Sequence, residues 1–231
     1  MEAIVLDTET SGMSPDDGDR LVELAGVRLS DGQSYETLCD PGRDIPPEAK
    51  AVHHITEKMV VGQSSPTEAA LEMLARLGQP DYFVAHNAPF DKGFMALLGE
   101  VYREVPWICT WRCSMHIWPE APGHGNQVLR YWLGLEVDLP AGLYPHRALY
   151  DTIVTRHILL RMLETHTLDD LHRLSYQPVV LLKVRFGKHR GLLWSQVPRD
   201  YLQWVVKQSD MDDDVRHTAM HHLRGGQGSL L

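Results

Sequence analysis

Two acids close to the N-terminus stand where a chain of this composition would seldom put them. Asp7 and Glu9 end the apolar run Ala3-Ile-Val-Leu6 in the stretch Glu2-Ala-Ile-Val-Leu-Asp7-Thr-Glu9-Thr-Ser-Gly12. A short apolar run reads as a buried central strand, and residues two apart on a strand share a face. Two like charges held side by side there repel by a few kcal/mol at an effective dielectric of ~20. A divalent cation would offset that repulsion. A turn cap at Asp7 with a solvated Glu9 would avoid it, and the pair alone leaves both readings open. Two further stretches carry chemistry: His86-Asn87-Ala88-Pro89-Phe90-Asp91 and His146-Arg-Ala-Leu-Tyr-Asp151. An imidazole with an ordinary pKa of ~6.5, such as His146, suits proton abstraction from water near neutral pH.

The elements around these residues decide whether they can meet. Arg20 to Leu29 reads as a long strand, and Asp31-Gly32 favours a hairpin into a third strand over Gln33 to Cys39. Glu23 lies inside the second strand, either on an exposed face or near the two acids. Ser65-Pro66 opens a helix to Leu77, with apolar residues at 70, 71, 74 and 77. Tyr82-Phe-Val-Ala85 reads as a fourth strand leading into a helix with Pro89 in its first turn. Asp91 then falls in that turn, where the helix dipole favours a carboxylate. Trp107-Ile-Cys109 is a short fifth strand; helices are expected from Thr110 to Trp118 and from Asn126 to Leu133. Arg147 to Thr165 reads as a long amphipathic helix containing Asp151. On an ideal helix His146 and Asp151 would sit about 140° apart. They can cooperate only if His146 precedes the helix, on the loop that Pro140, Gly142 and Pro145 create.

Three strands, then strands alternating with helices, predict an α/β fold with a mixed five-stranded sheet covered on both faces. Ligands of such sheets gather outside the carboxyl ends of the strands. A main domain over 1–176 is expected, followed by a small α+β module over 177–223 and a disordered tail over 224–231. The module holds a basic, hairpin-like stretch, Lys183-Val-Arg185-Phe186-Gly187-Lys188-His189-Arg190-Gly191. That stretch could hold nucleic-acid phosphate or be a solvated hairpin.

Composition narrows the class without naming a function. The chain has 231 residues, 43% hydrophobic and 23% charged, with a formal net charge of −9. Those proportions are ordinary for a globular protein, and the acidic balance argues against a passive nucleic-acid binder. No apolar run approaches the ~18 residues of a membrane span, and no basic segment precedes the first apolar run. A cytoplasmic protein without membrane partners is expected. Three cysteines do not suggest a disulfide framework. Cys109-x₃-Cys113-x₂-His116 lacks a clear fourth zinc ligand and fits one face of a helix equally well.

The three acidic stretches, in this order and spacing, resemble the motifs of the DEDDh family of 3′–5′ exonucleases. Ala51-Val-His53-His54-Ile55-Thr56 resembles the family's segment between the first two motifs, usually V-H-G-I-T, with His54 where many members carry Gly. The tail module, with Phe186-Gly-Lys-His-Arg-Gly191 and Tyr201-Leu-Gln-Trp204, narrows the resemblance to one bacterial branch over about residues 3–223.

The resemblance implies a ribonuclease-H-like fold and two Mg²⁺ ions, with Mn²⁺ able to substitute. They would be held by Asp7, Glu9, Asp91 and Asp151, with His146 as general base. Four carboxylates balance two divalent cations before an anionic phosphodiester arrives, and either set alone would be unbalanced. By the family's pattern Asp7 bridges both ions, Glu9 and Asp151 complete one, and Asp91 acts largely through water. Thr8, Thr10, His53, Ile55 and Asn87 are the candidate substrate contacts, with Ile55 an apolar wedge against a base. Thr8 could instead serve packing, and Asn87 could cap its helix.

The expected activity is release of nucleoside 5′-monophosphates from a DNA 3′ end, single- or double-stranded, in DNA repair. An exoribonuclease is the alternative, because the same fold and site serve both polymers. A non-catalytic nucleic-acid binding module is a third reading, and the intact set of catalytic residue types speaks against it.

Overall fold

The computed structural model describes residues 1–225. β1 (Ala3–Thr10), β2 (Leu21–Arg28) and β3 (Ser34–Leu38) form an antiparallel meander. The chain continues through α1 (Pro47–His53), α2 (Glu57–Val60) and α3 (Pro66–Leu77). Then come β4 (Tyr82–Ala85), α4 (Ala88–Met95), α5 (Val101–Glu104) and β5 (Trp107–Cys109). α6 (Thr110–Ile117), α7 (Asn126–Trp132), α8 (Ala148–Met162) and α9 (Leu168–Tyr176) complete the larger part. α10 (Arg199–Lys207) and α11 (Asp213–Leu223) close the described chain.

β4 and β5 add parallel to β1, giving a mixed sheet in the order β3-β2-β1-β4-β5. The central β1 is buried because both faces are covered. Its even residues Ile4 and Leu6 pack with α3, α4 and α5. Its odd residues Ala3 and Val5 pack with α6, α7, α8 and α9. Asp7 and Glu9 extend the odd row toward α8, so the strand's period of two selects the helix that faces them. The register of β1 on β2 slips between Glu9 and Thr10, a bulge of the kind that re-aims side chains beside active sites.

The long helix expected over 147–165 is shorter, Ala148–Met162, and a separate α9 follows it. α9 starts with a reciprocal cap between Thr167 and Asp170, the sequence signal for a new helix. The hairpin expected over 183–191 is reduced to a single antiparallel bridge, Lys183 to Leu193. Gly187 and Gly191 take positive φ values of 61° and 92° within it, which prevents continuous strand pairing.

Residues after Tyr176 have their own small core, formed by Val184, Trp194, Val197, Leu202, Val205 and Ala219. An ion pair from Arg112 of α6 to Asp214 of α11 ties it to the larger part. Among the described residues no helix is long and apolar enough to cross a membrane. The tail expected to be disordered lies, from residue 226 on, outside the described residues.

Candidate active site

Asp7, Glu9 and Asp151 each offer a carboxylate oxygen, and these atoms lie within 4.8 Å of one another. Asp7 and Glu9 come from the end of β1, and Asp151 from the first turn of α8. Asp91 approaches from the other face of the sheet on α4. Its Oδ1 accepts hydrogen bonds from the Thr8 backbone N–H at 3.1 Å and the Thr8 hydroxyl at 2.8 Å. Thr8 therefore holds a carboxylate in place, and its hydroxyl is already committed. Three carboxylates share one small volume, and the fourth is fixed next to them by the residue between Asp7 and Glu9.

The electrostatics are those of an anionic cluster waiting for positive charge. Burial raises the Asp7 carboxyl well above its usual range, and the charges of Asp91, Glu9, Asp151 and Glu23 push it further. Glu9 is raised to about 9 by burial and then by Glu23, Asp151 and Asp91. Asp91 rises to about 7 through burial, against the pull of its Thr8 hydrogen bonds. Burial also raises Asp151, opposed by the His146 N–H and by the Asn126 and Gln127 side chains. Oxygen donors this close and this mutually repelling suit a hard divalent cation.

His146 precedes α8 and lies outside it. Its backbone N–H donates to Asp151 Oδ2 at 2.8 Å, and its side chain is exposed. Its φ of 65° is a left-handed conformation that a non-glycine residue adopts only where neighbours enforce it.

The two residues after His146 are held by Glu23. Glu23 is 2% exposed and faces Glu9 directly across the β1–β2 ladder. The Arg147 guanidinium forks onto its carboxylate, with Nε at 3.0 Å from Oε1 and 3.1 Å from Oε2. The Ala148 N–H, at the open start of α8, donates to Oε2 at 2.9 Å. Glu23 therefore anchors the residues just after His146 and caps the helix carrying Asp151. Glu23 thus stands beside the acids, and its partner Arg147 comes from a segment far along the chain. The one signal for the pair was a charge inside an apolar strand.

The remaining candidates fall in different settings. Thr10 donates its hydroxyl to the Gly12 carbonyl at 2.6 Å, closing the turn after β1. His53 is buried between segments: its Nε2 meets the Thr10 carbonyl at 3.3 Å, and its Nδ1 accepts from the Ile55 N–H at 3.0 Å. Burial lowers its pKa, favouring the neutral ring. Ile55 is fully buried with Val22, Ile45 and Val60, so in this conformation its side chain is not presented to a base as a wedge. The clustering of neighbouring apolar side chains from β2 and α2 draws it inward. Asn87 is exposed and left-handed at the N-terminus of α4, and its side chain makes no capping bond. His54 ends α1 at φ 60°, taking the conformation that Gly usually supplies.

His86, next to Asn87, bridges the Thr110 hydroxyl at 2.9 Å and the His124 carbonyl at 2.7 Å. Burial lowers it to about 4, so it stays neutral. It fastens the loop before α7 to the end of β4.

The chain as a whole resembles known proteins. Residues 4–159 match the family described as Exonuclease (RNase_T). The chain belongs to that exonuclease family. Exodeoxyribonuclease 10 of Escherichia coli strain K12 is 33% identical over 230 residues, covering 95% of this chain and 97% of the relative. A DNA polymerase III subunit epsilon-like protein of Rhodobacter capsulatus is 36% identical over 69% of this chain and 23% of its own length. Exonuclease X in complex with 5′ overhanging duplex DNA superposes with a TM-score of 0.63 at 31% identity, covering 75% of this chain and 99% of that one. The nuclease domain of 3′hExo, a DEDDh family member bound to rAMP, shares the fold at a TM-score of 0.56 and 17% identity, over 74% of this chain and 94% of that one. The fold is ribonuclease-H-like, as the acidic motifs implied, and the chain is an exonuclease related to the exodeoxyribonuclease X branch.

Proposed function

We propose that this exonuclease is a metal-dependent 3′–5′ exodeoxyribonuclease, serving DNA repair and releasing nucleoside 5′-monophosphates. The observation that carries the reading is the convergence of the Asp7, Glu9 and Asp151 oxygens within 4.8 Å, beside a histidine at the site's rim. The four carboxylates would be balanced by two Mg²⁺ ions, with Mn²⁺ as a substitute. When bound, divalent cations supply Lewis-acid stabilisation of the charge that develops on the phosphoryl oxygens.

The chain's own residues do the rest. Asp7, Glu9 and Asp151 would hold the cations, and Asp91, kept in line by Thr8, completes the acidic set. His146 Nδ1 or Nε2 takes the proton of the attacking water as the phosphorus–oxygen bond to the leaving 3′ oxygen breaks. Glu23 and Arg147 fix the backbone on either side of that step. A deoxyribose polymer is favoured because the full-length similarity is to exodeoxyribonuclease 10.

The test uses 5′-labelled single-stranded DNA, duplex DNA and RNA, with Mg²⁺ or chelator. Shortening of the labelled DNA one nucleotide at a time from its 3′ end, and none with chelator, is expected. Faster trimming of RNA would assign the enzyme to the other polymer, and internal cuts would remove the exonucleolytic mechanism. His146→Ala should cost about a hundredfold in kcat near neutral pH while metal binding, read by calorimetry, persists.

A further inference from the structure

The match to the exonuclease family ends at residue 159, and the carboxylate site uses none of the basic residues beyond it. Between Leu181 and Lys207 stand six basic residues and a single acid, Asp200, in a chain of net charge −9. Acids return at Asp210 and at Asp212 to Asp214, so the excess is local to this stretch, where it raises the local concentration of an anionic partner.

Arginines of the larger part are engaged within the protein: Arg20, Arg103, Arg130 and Arg156 donate to carbonyl or hydroxyl oxygens. Arg28, Arg76, Arg112, Arg147, Arg161, Arg173 and Arg216 all sit in ion pairs. Lys183, Arg185 and Arg190 are exposed and, among the described residues, have no carboxylate partner. All three line one cleft of about 420 Å³ between the tail module and the loop before α7. The loop side contributes His124 and Glu120, and the charge of Arg185 reaches His124. A guanidinium pair left free in a solvent-filled cleft is suited to phosphate, which it can bind by parallel hydrogen bonds.

The cleft also lies on a route out of the carboxylate site. Its wall at His124 is fastened by His86 to the end of β4, beside β1. Two residues further on, α7 begins, and its Asn126 and Gln127 side chains reach the carboxylate of Asp151. The wall therefore runs from the reacting end directly to Arg185.

We propose that this cleft binds the sugar–phosphate backbone of the substrate strand as it leads away from the 3′-terminal nucleotide. The inference rests on the nucleolytic reading above. The cleft would add length-dependent affinity without taking part in bond cleavage, because it lies outside the carboxylate cluster.

The experiment compares the full chain with its Arg185→Gln/Arg190→Gln variant on two substrates and in one binding assay. The substrates are a 30-nucleotide single strand and the p-nitrophenyl ester of thymidine 5′-monophosphate, which is too short to reach the cleft. The variant should show an unchanged rate on the ester and a KM about tenfold higher on the long strand. Binding of a fluorescent oligonucleotide in chelator should weaken to match, and its salt dependence should flatten by about 1.4 in log–log slope for two lost phosphate contacts. An unchanged KM and affinity for the long strand, or an equal loss on the ester, would overturn the proposal. Should the wild-type chain cut neither substrate, the nucleolytic reading falls by itself, while the binding assay still decides whether Arg185 and Arg190 hold the strand.

Discussion

The end of β1 and the facing stretch of β2 carry the same group at the same level of the sheet and treat it in opposite ways. Glu9 and Glu23 are cross-strand neighbours. Glu23 receives a guanidinium fork and a helix N–H from its own chain. Glu9 receives neither, and burial together with its neighbours' charges pushes it to about 9. One acid has been completed by the fold, and the other has been left for an exogenous cation to complete. A buried charge with its partners in place organises structure, whereas one without them is free to bind. The difference also explains how a like-charge pair is tolerated across the ladder: Arg147 lies within reach of both acids and lowers Glu9 while it pairs with Glu23.

The comparison breaks most visibly at Asp7, which feels the charges of all the other acids. Asp7→Asn should lower kcat by at least about a thousandfold, since a lost charge-stabilising ligand is felt chiefly in the transition state. In chelator the same variant should melt at a higher temperature than the wild type, because one source of repulsion is gone. Loss of activity with a lower melting temperature would mean that Asp7 supports the fold and would remove the contrast with Glu23.

Glu23→Gln probes the completed side and should show the reverse balance. Arg147 loses its counter-charge, although the amide oxygen can still accept from the Ala148 N–H. Destabilisation of about 1–3 kcal/mol is expected in denaturant titrations. Because Arg147 holds the backbone next to His146, kcat should fall by about tenfold as well, with metal affinity nearly unchanged. Arg147→Lys, which keeps charge and loses the fork, should lie between the two. Wild-type kcat in Glu23→Gln would restrict the pair to a structural role.

What the sequence could and could not reveal follows the range of the interactions involved. Asp7 and Glu9 were legible because a strand has a period of two and charge ends its apolar run. His146 was legible as a pre-helix residue because five positions cannot share a helix face with Asp151. Asp91 could be placed in a first turn by Pro89, but nothing local indicated that Thr8 would bind it from the far face of the sheet. The Glu23–Arg147 pair joins residues whose numbers differ by 124, so no pattern within a window reports it. The inward setting of Ile55 has a related cause. Its burial depends on Val22 and Ile45, brought to it by β2 and by the loop before α1. The start of α9 was present in Thr167 and Asp170 and passed unread, because the apolar pattern around it ran on from α8.

The smallest effect expected is also the one that tests the electrostatic argument without any substrate. In metal-free protein, carboxyls raised to about 7 at Asp91 and about 9 at Glu9 hold protons that the unfolded chain has released above pH ~4. The folded state then binds more protons than the unfolded one, so its stability falls as pH rises through that range. Histidines work in the opposite sense. Burial lowers His86 to about 4, and lowers His53 and His124 as well. Their contribution is complete above the unfolded pKa of ~6.5 and is lost as pH falls below it. Below pH ~6.5 the two sets oppose each other, whereas above it the carboxyls act alone, so the melting temperature in chelator should decline from neutrality toward pH 9. Divalent cations displace the same protons, so Mg²⁺ or Mn²⁺ should raise the melting temperature more at pH 8.5 than at pH 6.5. Asp7→Asn should flatten the alkaline decline. A metal-induced shift that is equal at both pH values would mean that the cation binds without displacing protons, and the carboxylates of β1 would then be ionised whether or not it is present.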